Sequence, residues 1–382
     1  MARGNIKGRT SIHRYFDYTL LTVVLFLLCI GLVMLFSVSS YDANLTWGDS
    51  TYYIKKQTFA TILGVIAMFI VMFIDYHVFE RFALISIVVS GILIFLVTTP
   101  LGVEANGARR WLNLGISLQP AEVAKVGVIL YCAHFVCKLG KRVNTIEGIK
   151  KIYFPVIVIF LMVYFITDNL SSAIIIMSIC LVMTFIATPN YRPYLIVALV
   201  IGAFAGIIIL LVANGVVTEE TSYRIGRIRA WLFPEAYAST TAFQTLQALY
   251  AIGSGGLFGK GLGQSLQKQF VPEAQNDMIF SIICEELGLF GAAAIIILFV
   301  ILIWRFVVIA TNTKDSFGAM LVIGVMAHIS IQVILNLAVV TNSIPNTGIS
   351  LPFISYGGSS VVFLLIEIGM VLSVARGITY EA

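Results

Sequence analysis

Where polar chain meets a long apolar run, a carboxylate stands alone. Asp277 closes the stretch Val271-Pro272-Glu273-Ala274-Gln275-Asn276-Asp277 and is followed at once by Met278-Ile279-Phe280-Ser281-Ile282-Ile283. Two readings fit. Asn276 or Asp277 caps a helix, a contribution of roughly 1 kcal/mol, or Asp277 is a carboxylate held at a membrane surface as a general base. A helix N-terminus favours the anion, so this position predicts a lowered pKa and a weak base that depends on its neighbours. Glu285 and Glu286 follow further down the same helix, roughly 12 to 14 Å deeper at its rise per residue. A bare carboxylate at that depth costs several kcal/mol, so each is expected to be protonated, paired or facing a wet cavity. Candidate partners are Lys125, which shares a helix face with Glu122, and Asp168 and Glu367. Spacing leaves open whether these ions form a structural lattice or line a cavity.

Cationic chemistry is offered at two further places. Arg109 and Arg110 precede Trp111 in Asn106-Gly107-Ala108-Arg109-Arg110-Trp111-Leu112-Asn113, and guanidinium forks suit phosphates. A pyrophosphate on a lipid would satisfy them, as would ordinary headgroups. Tyr223-Arg224-Ile225-Gly226-Arg227-Ile228-Arg229-Ala230-Trp231-Leu232 alternates bases with apolar residues, the pattern of an interfacial amphipathic helix whose Arg224, Arg227 and Arg229 meet headgroup phosphates. The glycine-rich run from Gly253 to Gly263 resembles a phosphate loop only superficially. Lys260 is followed by Gly261 where Ser or Thr is required, and no strand precedes it. A lid and a re-entrant turn are equally compatible with it.

The elements that must hold these groups are membrane helices. The chain has 382 residues, 59% hydrophobic and 11% charged, with a mean hydropathy of +0.98, whereas a soluble protein carries roughly a quarter charged residues. Apolar runs near residues 18–40, 58–75, 82–99, 122–138, 152–167, 170–188, 194–214, 278–303, 317–340 and 359–375 each approach the length needed to cross about 30 Å of hydrocarbon. The fold class is therefore all-α, a polytopic membrane protein of about ten helices, with both termini on one side. Placing the N-terminus inside puts Arg3, Lys7, Arg9, Arg14, Arg81, Lys138, Lys141, Arg142, Lys150, Lys151, Arg192, Arg305, Lys314 and Arg376 on the cytoplasmic side. Only Lys55, Lys56, Arg109 and Arg110 remain in the short outer loops. This is a strong positive-inside bias, so both termini are expected to be cytoplasmic. Residues 1–382 read as one transmembrane domain, with 215–276 a long extracytoplasmic re-entrant or interfacial segment. The first run reads as a retained helix and not a cleaved signal peptide.

Several classes drop out. Cys29, Cys132, Cys137, Cys180 and Cys284 lie within apolar runs and read as packing residues. There is no G-x-S-x-G and no H-E-x-x-H, and His13, His77, His134 and His328 are scattered, so neither a serine hydrolase nor a zinc site is supported. Polar residues concentrate in the outer loops 100–121, 215–276 and 341–358, so function is expected to face outward.

Four motifs then carry a resemblance over nearly the whole chain. They are Gly107 to Trp111, Gln119 to Lys125, the run from Val271 through Asp277 to Gly288, and Pro352-Phe353-Ile354-Ser355-Tyr356-Gly357-Gly358-Ser359-Ser360. In this order they resemble the SEDS family, the shape, elongation, division and sporulation proteins. Gly261-Leu262-Gly263-Gln264-Ser265 with Gln267-Lys268 looks more like the FtsW-type division and sporulation branch than the RodA-type elongation branch. Met278 stands where Phe is usual, and Thr341 to Asn346 replaces a more apolar stretch.

The resemblance implies a peptidoglycan glycosyltransferase that polymerises lipid II on the outer face of the bacterial cytoplasmic membrane during cell division or shape maintenance. It implies as partners a class B penicillin-binding transpeptidase, other division or elongation proteins and membrane lipids, with no nucleic acid. It implies Asp277 as the catalytic carboxylate, acting as general base or as ligand of a divalent cation (Mg or Mn). No organic cofactor is expected. Arg109, Arg110, Lys125, Arg224 and Arg229 would balance the leaving pyrophosphate. Glu122, Asp168, Glu273, Glu285 and Glu286 would line or support the cavity. The rival readings are a lipid II flippase, with buried ions along a translocation path, and a non-catalytic scaffold of the division machinery.

Overall fold

The computed structural model describes residues 13–14, 16–105, 107–113, 117–217 and 222–380. Arg3, Lys7, Arg9 and Asn106, named above, lie outside them. Thirteen α-helices follow in chain order: α1 (Tyr18–Trp47), α2 (Tyr52–Phe73), α3 (His77–Arg81), α4 (Ala83–Leu96), α5 (Pro120–Leu139), α6 (Ile146–Ile166), α7 (Leu170–Ala187), α8 (Arg192–Ala213), α9 (Tyr223–Leu232), α10 (Phe243–Ser254), α11 (Ile279–Asn312), α12 (Ser316–Val340) and α13 (Gly358–Arg376). Five short strands complete the described residues: β1 (His13–Arg14), β2 (Gly102–Ala105), β3 (Ala108–Asn113), β4 (Ser117–Leu118) and β5 (Thr379–Tyr380).

Among the described residues, nine helices are long and apolar enough to cross a membrane. The exception among the expected spans is the third, which ends early as α4, 14 residues long. The hydroxyls of Thr98 and Thr99 donate back to the carbonyls of Phe95 and Leu96, and Pro100 cannot continue the helix, so the chain turns into the β2–β3 hairpin. β1 pairs antiparallel with β5, bringing the two ends of the described chain together at one end of the bundle. At that end Asp17 caps α1 through the Leu20 N–H and accepts from the Arg305 guanidinium of α11 at 2.7 Å. Helices α5, α12 and α13 form the buried centre. α8 is the opposite case: Val212 is its one buried residue, and a helix apolar on every side suits lipid as its neighbour.

α11 is not one continuous helix. It breaks at Gly288, where φ is 68° and ψ −169°. The glycine-rich segment after α10 fills the break, because Lys260 and Gly261 donate to the carbonyls of Glu285 and Glu286 (both 2.9 Å), while Leu289 and Phe290 donate to Gly256 and Leu257. The backbone groups released by the break are thereby paired, as a low-dielectric surrounding demands. The stretch 289–312 alone rises about 36 Å, enough to span. Glu285 and Glu286 therefore sit in the short helical segment before the break, separated from the long apolar stretch that follows it. A Cβ on Gly288 would lie 2.3 Å from the Gly259 nitrogen. Gly288→Ala is accordingly expected to destabilise the protein by roughly 2 to 4 kcal/mol, seen as a lower thermal midpoint in detergent. An unchanged midpoint would show that the break tolerates a side chain.

Candidate active site

The loops at the end of the bundle opposite the chain termini converge around Asp277. Its side chain is 8% exposed and does not cap α11. The cap position is Met278, with no side-chain hydrogen bond. Instead Oδ1 accepts from Gln244 Nε2 at 3.2 Å. Gln244 lies in the first turn of α10, which crosses over the loop that carries the aspartate. The main chain of Asp277 is fixed from below, since Asn336 Nδ2 donates to the carbonyls of Asp277 (2.8 Å) and Ile349 (2.7 Å).

This burial reverses the expected effect of the helix end. Loss of water pushes the Asp277 pKa up to about 6, the neighbouring Glu273 charge adds to the rise, and Arg227 and Gln244 oppose it. A lowered value would have followed had the carboxylate sat in the N-terminal field of α11, but desolvation dominates here. An essential base with this pKa gives a pH–rate profile whose acid limb lies near pH 6, with activity rising as the proton leaves. A limb near the ordinary carboxylate value of about 4 would contradict the burial.

Asn336 belongs to a ladder on one face of α12. His328 Nδ1 contacts Glu367 Oε2 at 2.8 Å, His328 Nε2 contacts Gln332 Oε1 at 3.0 Å, and Gln332 Nε2 donates to the Ser350 carbonyl. His328, Gln332 and Asn336 recur every four residues, so one helix face clamps both Asp277 and the loop 341–357. Glu367 is thus a member of this structural ladder. Lys125 and Glu122 form a second internal pair, 2.8 Å apart with side chains 2% and 6% exposed. The ammonium that the sequence offers to a pyrophosphate is already held by its own helix neighbour.

The remaining cations are distributed unevenly. Arg224, predicted to meet headgroups, is paired with Asp168 and donates to Tyr164 Oη at 2.8 Å, its side chain 38% exposed. Arg110 donates to the carbonyls of Thr167 and Asp168, so both arginines brace the turn between α6 and α7. Arg227 Nη1 donates to the Asn346 carbonyl at 3.1 Å. Arg109 remains 54% exposed, 3.8 Å from Glu104 across the hairpin. Arg229 forms no ion pair among the described residues, although Arg224, Arg227 and Arg229 all lie on the expected helix, α9. Glu273, in the left-handed region at φ 53°, accepts from Asn276 in the turn that leads to Asp277.

Glu285 and Glu286 have partners other than Lys125. Glu285 is paired with Lys260 at 2.7 Å and accepts from Ser265 and from the Leu266 and Gln267 amides. Glu286 accepts from Ser37 at 2.7 Å and lies 3.7 Å from Lys268. The two carboxylates tie the glycine-rich segment to α1 and α11. They could not be paired from sequence because their lysines lie on a segment without periodicity. Gln244 and Asn346 were missed altogether. Gln244 sits in an apparently ordinary amphipathic stretch, and Asn346 lies in the one outer stretch that departs from the family pattern.

Among the described residues no three His, Cys, Asp or Glu side chains are grouped to hold a metal ion.

Comparison with known proteins agrees with this architecture. The family model described as cell cycle protein, covering FtsW, RodA and SpoVE, matches residues 18–380. Stage V sporulation protein E of Bacillus subtilis is 37% identical over 367 residues, covering 94% of this chain and 97% of that protein. A probable peptidoglycan glycosyltransferase FtsW of Trichlorobacter lovleyi is 35% identical, covering 95% and 94%. Among solved structures, the rod shape determining protein RodA of Thermus thermophilus superposes with a TM-score of 0.67 at 25% identity, covering 95% and 97%. A chain from a peptidoglycan synthase complex that coordinates polymerization and crosslinking shares the fold at a TM-score of 0.77 and 24% identity, covering 96% and 99%.

Proposed function

Because the chain belongs to the FtsW/RodA/SpoVE family of cell cycle proteins, a family of multi-pass cytoplasmic-membrane proteins, we propose that it is a peptidoglycan glycosyltransferase whose general base is Asp277. Its substrate is lipid II, polymerised on the outer face of the membrane during division or sporulation, and both termini are cytoplasmic. The observation that carries this reading is a buried carboxylate at the polar end of a membrane bundle, held by Gln244 at its side chain and by Asn336 at its main chain, with its pKa pushed up to about 6 by loss of water. A base is most effective when its pKa approaches the working pH.

The reaction asks for two things. A sugar 4-hydroxyl must lose its proton as its oxygen attacks the anomeric carbon of a second sugar, and the leaving lipid pyrophosphate must be balanced by positive charge. Asp277 performs the first. For the second, the contacts of Arg110, Arg224 and Lys125 within the protein favour a bracing role, which leaves Arg109 and Arg229 as the guanidinium groups available to a phosphate. A divalent cation enters this reading as a companion of the substrate's pyrophosphate. A class B penicillin-binding transpeptidase is the proposed partner, in keeping with the fold shared with a chain of a peptidoglycan synthase complex.

The test is reconstitution of the purified protein with such a partner and labelled lipid II in liposomes. Glycan strands on a gel are expected. Lipid II that crosses the bilayer without forming strands would instead identify a flippase, and neither outcome would leave a scaffold.

A further inference from the structure

Two side-chain amides beside Asp277 have a direction that can be read from their ends. Gly348 N–H, which can only donate, donates to Asn346 Oδ1 at 3.0 Å. Asn346 must therefore turn its Nδ2 to Gln244, where it donates to Oε1 at 2.9 Å. Gln244 must in turn present Nε2, and that group meets the Pro272 carbonyl, which can only accept, at 2.9 Å. The second Nε2 proton points at Asp277 Oδ1, 3.2 Å away. A backbone donor at one end and a backbone acceptor at the other thus fix both amides.

From this we infer that Gln244 and Asn346 are positioning residues that select which carboxylate oxygen reacts: Oδ1 is held by the amide relay, and Oδ2 takes the sugar hydroxyl proton. The inference rests on the reading of Asp277 as the base. In the step, the hydroxyl O–H bond breaks and its proton passes to Oδ2. The oxygen's electron pair forms the bond to the anomeric carbon, and the carbon–oxygen bond to the pyrophosphate breaks with its pair leaving on the pyrophosphate. A proton on Oδ1 would face the Gln244 N–H head on; Gln244 is the one side chain among the described residues that donates to the carboxylate, beside the aspartate's own backbone N–H. Oδ2 lies toward Gly348, where φ is +68° and a Cβ would stand 3.9 Å from that oxygen. Glycine meets that backbone angle without strain and leaves the approach to Oδ2 unfilled. Asn346 acts only through Gln244. It is an amide in a stretch where the family resemblance leads one to expect apolar residues.

The charged groups facing Asp277 are Glu273 and Arg227, and they stay in place in all the variants. The experiment measures kcat and KM for lipid II polymerisation across pH in wild type, Gln244→Ala, Asn346→Ala and the double variant, with thermal midpoints alongside. Gln244→Ala should lower kcat roughly 10-fold with KM held within about two-fold, and its acid limb should move to higher pH because a donor to the carboxylate is gone. Asn346→Ala should cost roughly 3-fold alone and nothing further in the Gln244→Ala background, the signature of action through one partner. If Gln244→Ala does not fold, the near-isosteric Gln244→Glu should give the same loss of kcat and the same direction of limb shift. Wild-type kcat and an unmoved acid limb in the Gln244 variants would overturn the inference, as would fully multiplicative losses in the double variant. No strands from wild type would instead defeat the proposed activity, and an Asp277→Asn protein as active as wild type would defeat the assignment of the base.

Discussion

Lys125→Met is expected to remove most of the folded protein from the membrane, a larger effect than any loss of substrate contact. Its ammonium and the Glu122 carboxylate are both inside the bundle, 2.8 Å apart. Removing one member of a buried pair leaves the other charge uncompensated, at a cost of roughly 3 to 5 kcal/mol. That is comparable with the whole stability margin of many domains, about 5 to 15 kcal/mol. The double variant Lys125→Met with Glu122→Gln removes both charges and should recover much of the folded yield. Yield of monodisperse protein after detergent extraction and its thermal midpoint report the outcome. A single variant that folds like wild type and binds lipid II more weakly would return Lys125 to the phosphate-binding role that its sequence motif implies.

Asp277→Asn should separate activity from stability. Loss of a general base lowers turnover by roughly 10² to 10⁴-fold. Stability moves the other way. The pKa of Asp277 rises from 3.8 to about 6 on folding, so the folded state binds the proton more tightly than the unfolded chain does. Its contribution is therefore fully present below about pH 4 and is lost as pH rises through 6, which leaves the ionised side chain unfavourable by roughly 3 kcal/mol at neutral pH. Asparagine carries no such cost and keeps a carboxamide oxygen to accept from Gln244. The variant should melt at higher temperature than wild type at pH 7 to 8, with the gap closing toward pH 4. A variant less stable than wild type at pH 8 would mean that the carboxylate is held by a favourable partner.

The architecture was legible because each span imposes its own length and apolarity on the sequence. The family motifs led to Asp277 for the same reason: its sequence neighbours are themselves diagnostic. What spacing could not supply was contact between distant segments. Glu285 reaches Lys260 and Glu286 reaches Lys268 only because α11 breaks at Gly288, and a glycine inside an apolar run looks like an ordinary packing residue. Amphipathic spacing places Arg224 on a face without naming its protein partner, and that partner, Asp168, lies on a distant segment. The pKa of Asp277 cannot be read from the helix end alone, since loss of water on burial outweighs the lowering contacts of Arg227 and Gln244. Asn346 carried no motif, only a departure from one.

The most direct measurement of the central claim is lipid II polymerisation by wild type and Asp277→Asn, purified identically with the transpeptidase partner and run side by side at pH 8, well above the pKa of the aspartate. The account predicts glycan strands from wild type and none above background from Asp277→Asn, with both proteins folded by thermal melt. Strands formed at equal rates by the two proteins would contradict it.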